Sequence, residues 1–127
     1  MDAAMRELLE KQGYRLVGRH SAVKVCHWLK ESLLRGRACY KERFYGIKSH
    51  RCLQMTPSVA WCQHRCVFCW RPVERSLGPF LNISPDEPDE IVEGSIALQR
   101  ELLSGYLGEK DRVKLEQVAE AHDPRHA

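Results

Sequence analysis

Hydrophobic residues recur along this chain at helical spacing in four places and at strand spacing in one. Residues 2–10 alternate charge and hydrophobe as a short amphipathic helix that ends before Gly13. A second helix is expected from Ser21 to Leu34. Ser21 can cap its start, Val25, Leu29 and Leu33 share a face, and Gly36 offers a stop. Residues 37–50 hold no sustained period and read as ordered loop or short strand. Cys52-Leu-Gln-Met-Thr alternates apolar and polar positions, a strand that Pro57 ends. The proline- and glycine-rich stretch from Arg71 to Pro88 is a long connection. Ser84-Pro85-Asp86-Glu87 has the form of a helix opening, and the helix beyond it places Ile91, Ser95, Leu98 and Leu102 on one face. That helix should stop near Gly105, and a last one runs from about Asp111 to Ala121. Strand, loop, helix, helix is the order of an α/β unit, whose strand needs a parallel neighbour.

Composition changes this picture little. The 127 residues suit one ordinary domain, with 43% apolar and 29% charged residues. No run approaches the ~18 apolar residues of a membrane span, and the charged opening is not a signal peptide; a cytosolic protein is expected. Charge is more telling. Residues 11–75 hold fourteen Lys and Arg against three Asp and Glu, while residues 76–127 hold five against eleven. Arg35, Arg37, Lys41, Arg43, Lys48 and Arg51 interleave with Tyr40, Phe44 and Tyr45. Such a stretch is either a solvated basic surface or one suited to phosphates and stacked bases.

Six cysteines carry the chemistry. They could pair as disulfides in a secreted protein, but nothing else here is secretory. Cys62, Cys66 and Cys69 fall within eight residues, so one loop can wrap them round a small object. Three thiolates leave structural zinc one ligand short unless His64 or a distant cysteine completes it. They suit a 4Fe–4S cube with one iron left open, at which a small molecule can chelate. Phe68 is either a packing residue of this loop or an aromatic that flanks a bound adenine. Trp61 and Trp70 bracket the loop and would shield it. Cys26, Cys39 and Cys52, with twelve residues between neighbours, are either three structural cysteines or the ligands of a second cluster. Lys41 is a solvated charge or, beside an open iron, an amine able to attack a carbonyl. The six histidines form no ligand set.

The C-x3-C-x2-C spacing is that of the radical S-adenosylmethionine superfamily. A narrower likeness runs from GYRLVGRHSAVKVCHWLK through Cys39-Tyr40-Lys41, Phe44-Tyr45-Gly46-Ile47, Ser49-His50-Arg51-Cys52 and Met55-Thr56-Pro57 to WCQHRCVFCWRP. In these segments the chain resembles the archaeal tRNA wybutosine-synthesising radical enzymes, the 4-demethylwyosine synthases. The resemblance implies a cytoplasmic tRNA-modifying carbon–carbon lyase. It would use S-adenosylmethionine, pyruvate and an electron donor on N1-methylguanosine-37 of tRNA(Phe). Cys62, Cys66 and Cys69 would hold the cluster that cleaves S-adenosylmethionine, with Phe68 at the cofactor. Cys26, Cys39 and Cys52 would hold an auxiliary 4Fe–4S cluster, and Lys41 would form a Schiff base with pyruvate.

The implied fold is a (βα)6 TIM-like partial barrel begun by residues 51–127, after a helical cluster-binding extension over residues 1–50. The family continues into a Gly-Glu-Pro strand and further units that this chain lacks. The expectation is therefore a truncated or split product, inactive alone, with the remainder of the barrel on a missing segment or second chain. Two other classes compete: a zinc-binding nucleic-acid module and a non-catalytic electron-transfer protein. Colour, zinc content and cleavage of S-adenosylmethionine separate the three.

Overall fold

A computed structural model describes residues 1–105, 119–121 and 123. The helix expected over 111–121 lies mostly outside the described residues, as do His122 and His126. The elements run α1 (Ala3–Lys11), β1 (Tyr14–Val17), β2 (Ser21–Lys24), α2 (His27–Arg35), α3 (Tyr40–Tyr45), β3 (Met55–Thr56) and α4 (Pro88–Leu103). Short 3-10 turns lie at Ser49–Arg51 and Val73–Arg75. The class is α/β, with one three-stranded sheet in the order β1-β2-β3. The described residues divide into two compact units, one of residues 1–23 and 55–95, the other of residues 24–54 with the described residues from 96 onward.

In the first unit, α1 is capped by Asp2, whose carboxylate accepts the Met5 N–H at 2.8 Å. Its Leu9 is buried with Tyr14, Ala22, Val59, Ala60 and Trp61, flanked by Met1, Met5, Leu16, Leu81 and Ile83. A fully buried leucine of this kind contributes about 1.5–3 kcal/mol.

The span expected to begin the second helix is strand instead. Ser21–Lys24 forms β2, and its Ala22 and Val23 pair antiparallel with Thr56 and Met55 of β3. The Ser21 hydroxyl does not cap a helix; it donates to the Pro57 carbonyl at 3.2 Å. The strand expected over 52–56 shortens to Met55–Thr56, and its described pairing is antiparallel rather than parallel. A parallel contact occurs further on, at the Trp61–Gly78 bridge.

Three residues join β1 to β2, and they tie the unit together. Gly18 has φ +58, and a Cβ there would land on the Asp86 carboxylate, so both backbone and space require glycine. Asp86 accepts the Arg19 backbone N–H at 2.7 Å and the Arg19 Nε–H at 2.9 Å. The Asp86 N–H donates to His20 Nε2 at 2.8 Å, while His20 Nδ1 faces the Pro57 carbonyl. His20 thus bridges the Asp86 amide and the Pro57 carbonyl.

Asp86 therefore serves this clamp and does not open α4. The helix starts later than expected, with Pro88 at its first position and the Ile91 N–H donating to the Glu87 carbonyl at 3.1 Å. A Cβ on Gly94 would stand 2.8 Å from Val17 Cγ1, so this turn of α4 lies close on β1.

The clamp has a pH signature. The Arg19 backbone and side-chain donors, with the Arg19 and His20 charges behind them, hold the Asp86 carboxyl below its ordinary value. A depressed carboxyl stabilises the fold above the unfolded value of about 3.9, and that contribution is lost as pH falls through the folded value. Asp86→Asn should lower the urea midpoint at pH 7, and the gap to the unaltered chain should close as the pH is taken below about 4. Equal midpoints at neutral pH would contradict this role.

The second unit is built on α2. Leu29 and Leu33 are buried with Leu103, and Val25, Cys26, Leu34, Cys52 and Ala121 pack against them. Gly36 ends α2 in the left-handed conformation, φ 69, as its position in the sequence implies. Residues 40–45, expected as loop or strand, are helix α3. None of its residues is buried, so it leaves no apolar period to read. Ser49 holds it in place: its hydroxyl accepts the Cys39 N–H at 3.0 Å, and its own N–H donates to Glu42 Oε1 at 3.0 Å. The buried positions of α4 are Ser95, Gln99 and Leu103, one helical row; Ser95 lies on the expected face and Leu103 on its flank, whereas Gln99 gives no apolar signal. No helix among the described residues is long and apolar enough to cross a membrane.

Candidate metal centres

All six cysteines are free thiols. Cys62, Cys66 and Cys69 lie in the first unit and Cys26, Cys39 and Cys52 in the second. Among the described residues, no three His, Cys, Asp or Glu side chains stand close enough together to hold a metal ion.

The loop of the first unit is held at its two ends. On entry, the Cys62 N–H donates to the Gly78 carbonyl at 3.1 Å and the Leu77 N–H to the Ala60 carbonyl at 2.7 Å. On exit, Trp70 stacks on Tyr14 with centroids 5.9 Å apart, and the Tyr14 hydroxyl donates to the Trp70 carbonyl at 2.6 Å. Burial pushes the Tyr14 phenol up to about 12, helped by the Cys69 and Glu74 charges and opposed by Arg71. Between these anchors, Cys66 to Cys69 forms a turn closed by the Cys69 N–H on the Cys66 carbonyl at 3.0 Å.

Phe68 sits at the tip of that turn and is 86% exposed, with Cys66 exposed beside it. It is not a packing residue of this unit. Of the bracketing tryptophans, Trp61 is buried and Trp70 partly exposed.

The sulfur at the loop entry accepts two donors. The His64 N–H donates to Cys62 Sγ at 3.4 Å and the Arg71 guanidinium at 3.1 Å. These donors, the His64 amide first, hold the Cys62 thiol below its ordinary range. The Arg71 and Cys69 charges also act on one another. A shallow cleft opens against Cys62, lined by Trp61, His64, Arg71 and Val73 among others.

The second group has a shared geometry that its spacing hides. Cys26 is the N-cap of α2, Cys39 is the N-cap of α3, and Cys52 closes the Ser49–Arg51 turn. Partial burial pushes the Cys39 thiol up, but the Ser49 hydroxyl at 3.4 Å, the Glu42 and Lys41 backbone N–H groups and the Lys41 charge bring it below its usual value.

Burial pushes the Cys52 thiol up, and Cys26 and Cys39 add to that while Lys41 opposes it. Cys52 therefore lies within electrostatic reach of both other cysteines and of the lysine. Its carbonyl accepts the Gln99 amide at 3.0 Å, and the neighbouring His50 is buried with Nε2 3.1 Å from Glu120 Oε2. Lys41 itself is exposed at the start of α3.

Ser49, Arg71 and Tyr14 were not singled out by the sequence. Arg71 had a signal, a cation two residues beyond three clustered thiols; Ser49 had none.

Thiolates in these numbers, with backbone and cationic donors on their sulfurs, form a donor set that fits an iron–sulfur cluster better than an oxygen-loving ion. Repulsion among the thiolates must be neutralised before three of them converge, so metal binding and ordering of the loop are coupled.

No family model matches the chain. Its whole length is 56% identical to the S-adenosyl-L-methionine-dependent tRNA 4-demethylwyosine synthase of Pyrococcus abyssi and 57% to that of Pyrococcus horikoshii. It spans 37% of each of those proteins. The human synthase TYW1 is 44% identical over 124 residues, 97% of this chain and 16% of that protein. A solved structure of TYW1 with a lysine–pyruvate adduct bound superposes with TM-score 0.81 at 40% identity, over 98% of this chain and 40% of the other. A crystal structure of archaeal TYW1 gives 0.76 at 35% identity over the same shares. Segments quoted for their likeness and the fold of almost every residue thus point the same way. The chain belongs to the tRNA 4-demethylwyosine synthase family.

Proposed function

We propose that this chain supplies the cluster ligands and the pyruvate-binding lysine of a 4-demethylwyosine synthase, a radical carbon–carbon lyase that condenses pyruvate with N1-methylguanosine-37 of tRNA(Phe). In this reading residues 1–50 form an extension with auxiliary-cluster ligands, and residues 51–127 belong to a (βα)6 partial barrel. The observation that carries it is the place of Lys41, in the first turn of α3 behind its Cys39 cap, where its charge acts on both Cys39 and Cys52. A synthase whose solved structure is similar to this chain holds a lysine–pyruvate adduct.

Cys62, Cys66 and Cys69 would hold one 4Fe–4S cluster and Cys26, Cys39 and Cys52 the other. A cluster held by the first set would supply the electron for reductive cleavage of S-adenosylmethionine, drawing it from an external donor. Phe68, exposed at the tip of the same turn, offers a flat apolar face to the adenine. Lys41, as the neutral amine, adds to the keto carbon of pyruvate; water leaves and an imine remains. Arg35, Arg37, Arg43 and Lys48 are exposed near Tyr40, Phe44 and Tyr45, which are themselves exposed, so phosphates and unstacked bases of tRNA have partners there. Family, fold and an overall basic charge agree with a protein that works on tRNA in the cytoplasm.

The test is turnover of S-adenosylmethionine. Joined to the remaining segment of a full-length relative, loaded anaerobically with iron and sulfide and reduced with dithionite, the chain should release 5′-deoxyadenosine, and Cys66→Ala in the same protein should release none. Loaded protein that cleaves no S-adenosylmethionine would favour an electron carrier instead.

A further inference from the structure

Arg71 has no part in the chemistry above, yet it is the most connected side chain at the loop. Its guanidinium donates to Cys62 Sγ at 3.1 Å and to the Ser58 carbonyl at 2.9 Å, and its charge acts on Cys69 as well. One planar cation thus ties the sulfur at the loop entry to the backbone that leads into the loop. The backbone carrying Arg71 is itself fixed, because its neighbour Trp70 is stacked and hydrogen-bonded on buried Tyr14. An ordinary surface arginine is free to reach water; this one is spent on a thiol and a carbonyl.

Donors on ligand sulfurs have a definite consequence for a cluster. Reduction adds one negative charge, and a cation or N–H aimed at the sulfurs stabilises the reduced form more than the oxidised one. We propose that Arg71 is a positioning residue that holds Cys62 in place for the cluster and raises the potential at which that cluster accepts its electron. This rests on the reading of Cys62, Cys66 and Cys69 as cluster ligands. No bond forms or breaks: one electron passes from the reductant to the cluster.

Arg71→Lys and Arg71→Gln, made in a Cys39→Ala background that leaves only the loop's ligand set complete, test it. Each chain is loaded anaerobically, its iron is counted, and the cluster is titrated with dithionite while its paramagnetic signal is followed. Arg71→Gln should need a more negative potential, with at least a tenfold fall in reduced over oxidised cluster at fixed potential, about 59 mV for one electron. Arg71→Lys keeps the charge but not the fork, and should shift less. Loss of iron from Arg71→Gln with an unchanged circular-dichroism spectrum and melting point would support the positioning role. The lysine variant's midpoint then decides the rest. Midpoints equal to the parent's in loaded variants would overturn the proposal alone, whereas a parent without iron would overturn the cluster reading beneath it.

Discussion

Replacing Lys41 with alanine is expected to abolish the adduct that the chain forms with pyruvate under borohydride. The imine of a primary amine and a keto acid hydrolyses readily, but hydride reduction converts it to a secondary amine that survives digestion and can be placed on a peptide. Lys41 is marked out from the other lysines by its neighbours. It stands at the start of α3, two residues from the Cys39 cap, and its charge acts on both Cys39 and Cys52. Lys41→Arg should fail as completely as alanine, because a guanidinium stays protonated and cannot take this path. Its positive charge would still act on the two cysteines, so loss of the adduct in both variants separates nucleophile from counter-ion. Labelling spread evenly over Lys30, Lys48 and the other lysines would remove Lys41 from the mechanism.

The second large effect concerns iron. Cys39→Ala and Cys66→Ala should each hold about half the iron and sulfide of the unaltered chain, some four atoms of each instead of eight. The two losses should be separable, since the ligand sets lie in different compact units. Cys66→Ala removes the most exposed ligand and disturbs no packing. Cys39→Ala also removes the sulfur that the Ser49 hydroxyl donates to, so its melting point needs to be recorded alongside. An unchanged iron count in Cys39→Ala would leave the second group as structural cysteines.

Local signals predicted some elements well. The α1 pattern gave Ala3–Lys11 almost to the residue, and the Leu29–Leu33 row with Gly36 behind it fixed the end of α2. What failed was decided by tertiary partners. Ser21 has the chemistry of a cap, yet its hydroxyl is claimed by Pro57, thirty-six residues on, and the segment joins β3 as strand. Ser84 to Glu87 has the form of a helix opening, yet Asp86 within it is claimed by Arg19 and His20, and the helix starts at Pro88. α3 buries nothing, so no period announces it.

The same division holds at the site. C-x3-C-x2-C is compact enough to declare its chemistry from spacing alone. The common setting of Cys26, Cys39 and Cys52 depends on two helix starts and a turn, which equal spacing in sequence does not encode. Arg71 had only its place after the thiols to mark it, and its partners Ser58 and Cys62 appear only in the structure.

The account stands or falls on what metal the chain binds. Protein purified without oxygen and loaded with iron and sulfide should be brown, with about eight iron and eight sulfide per chain and no bound zinc. Colourless protein that retains tetrahedral zinc and refuses iron would contradict it.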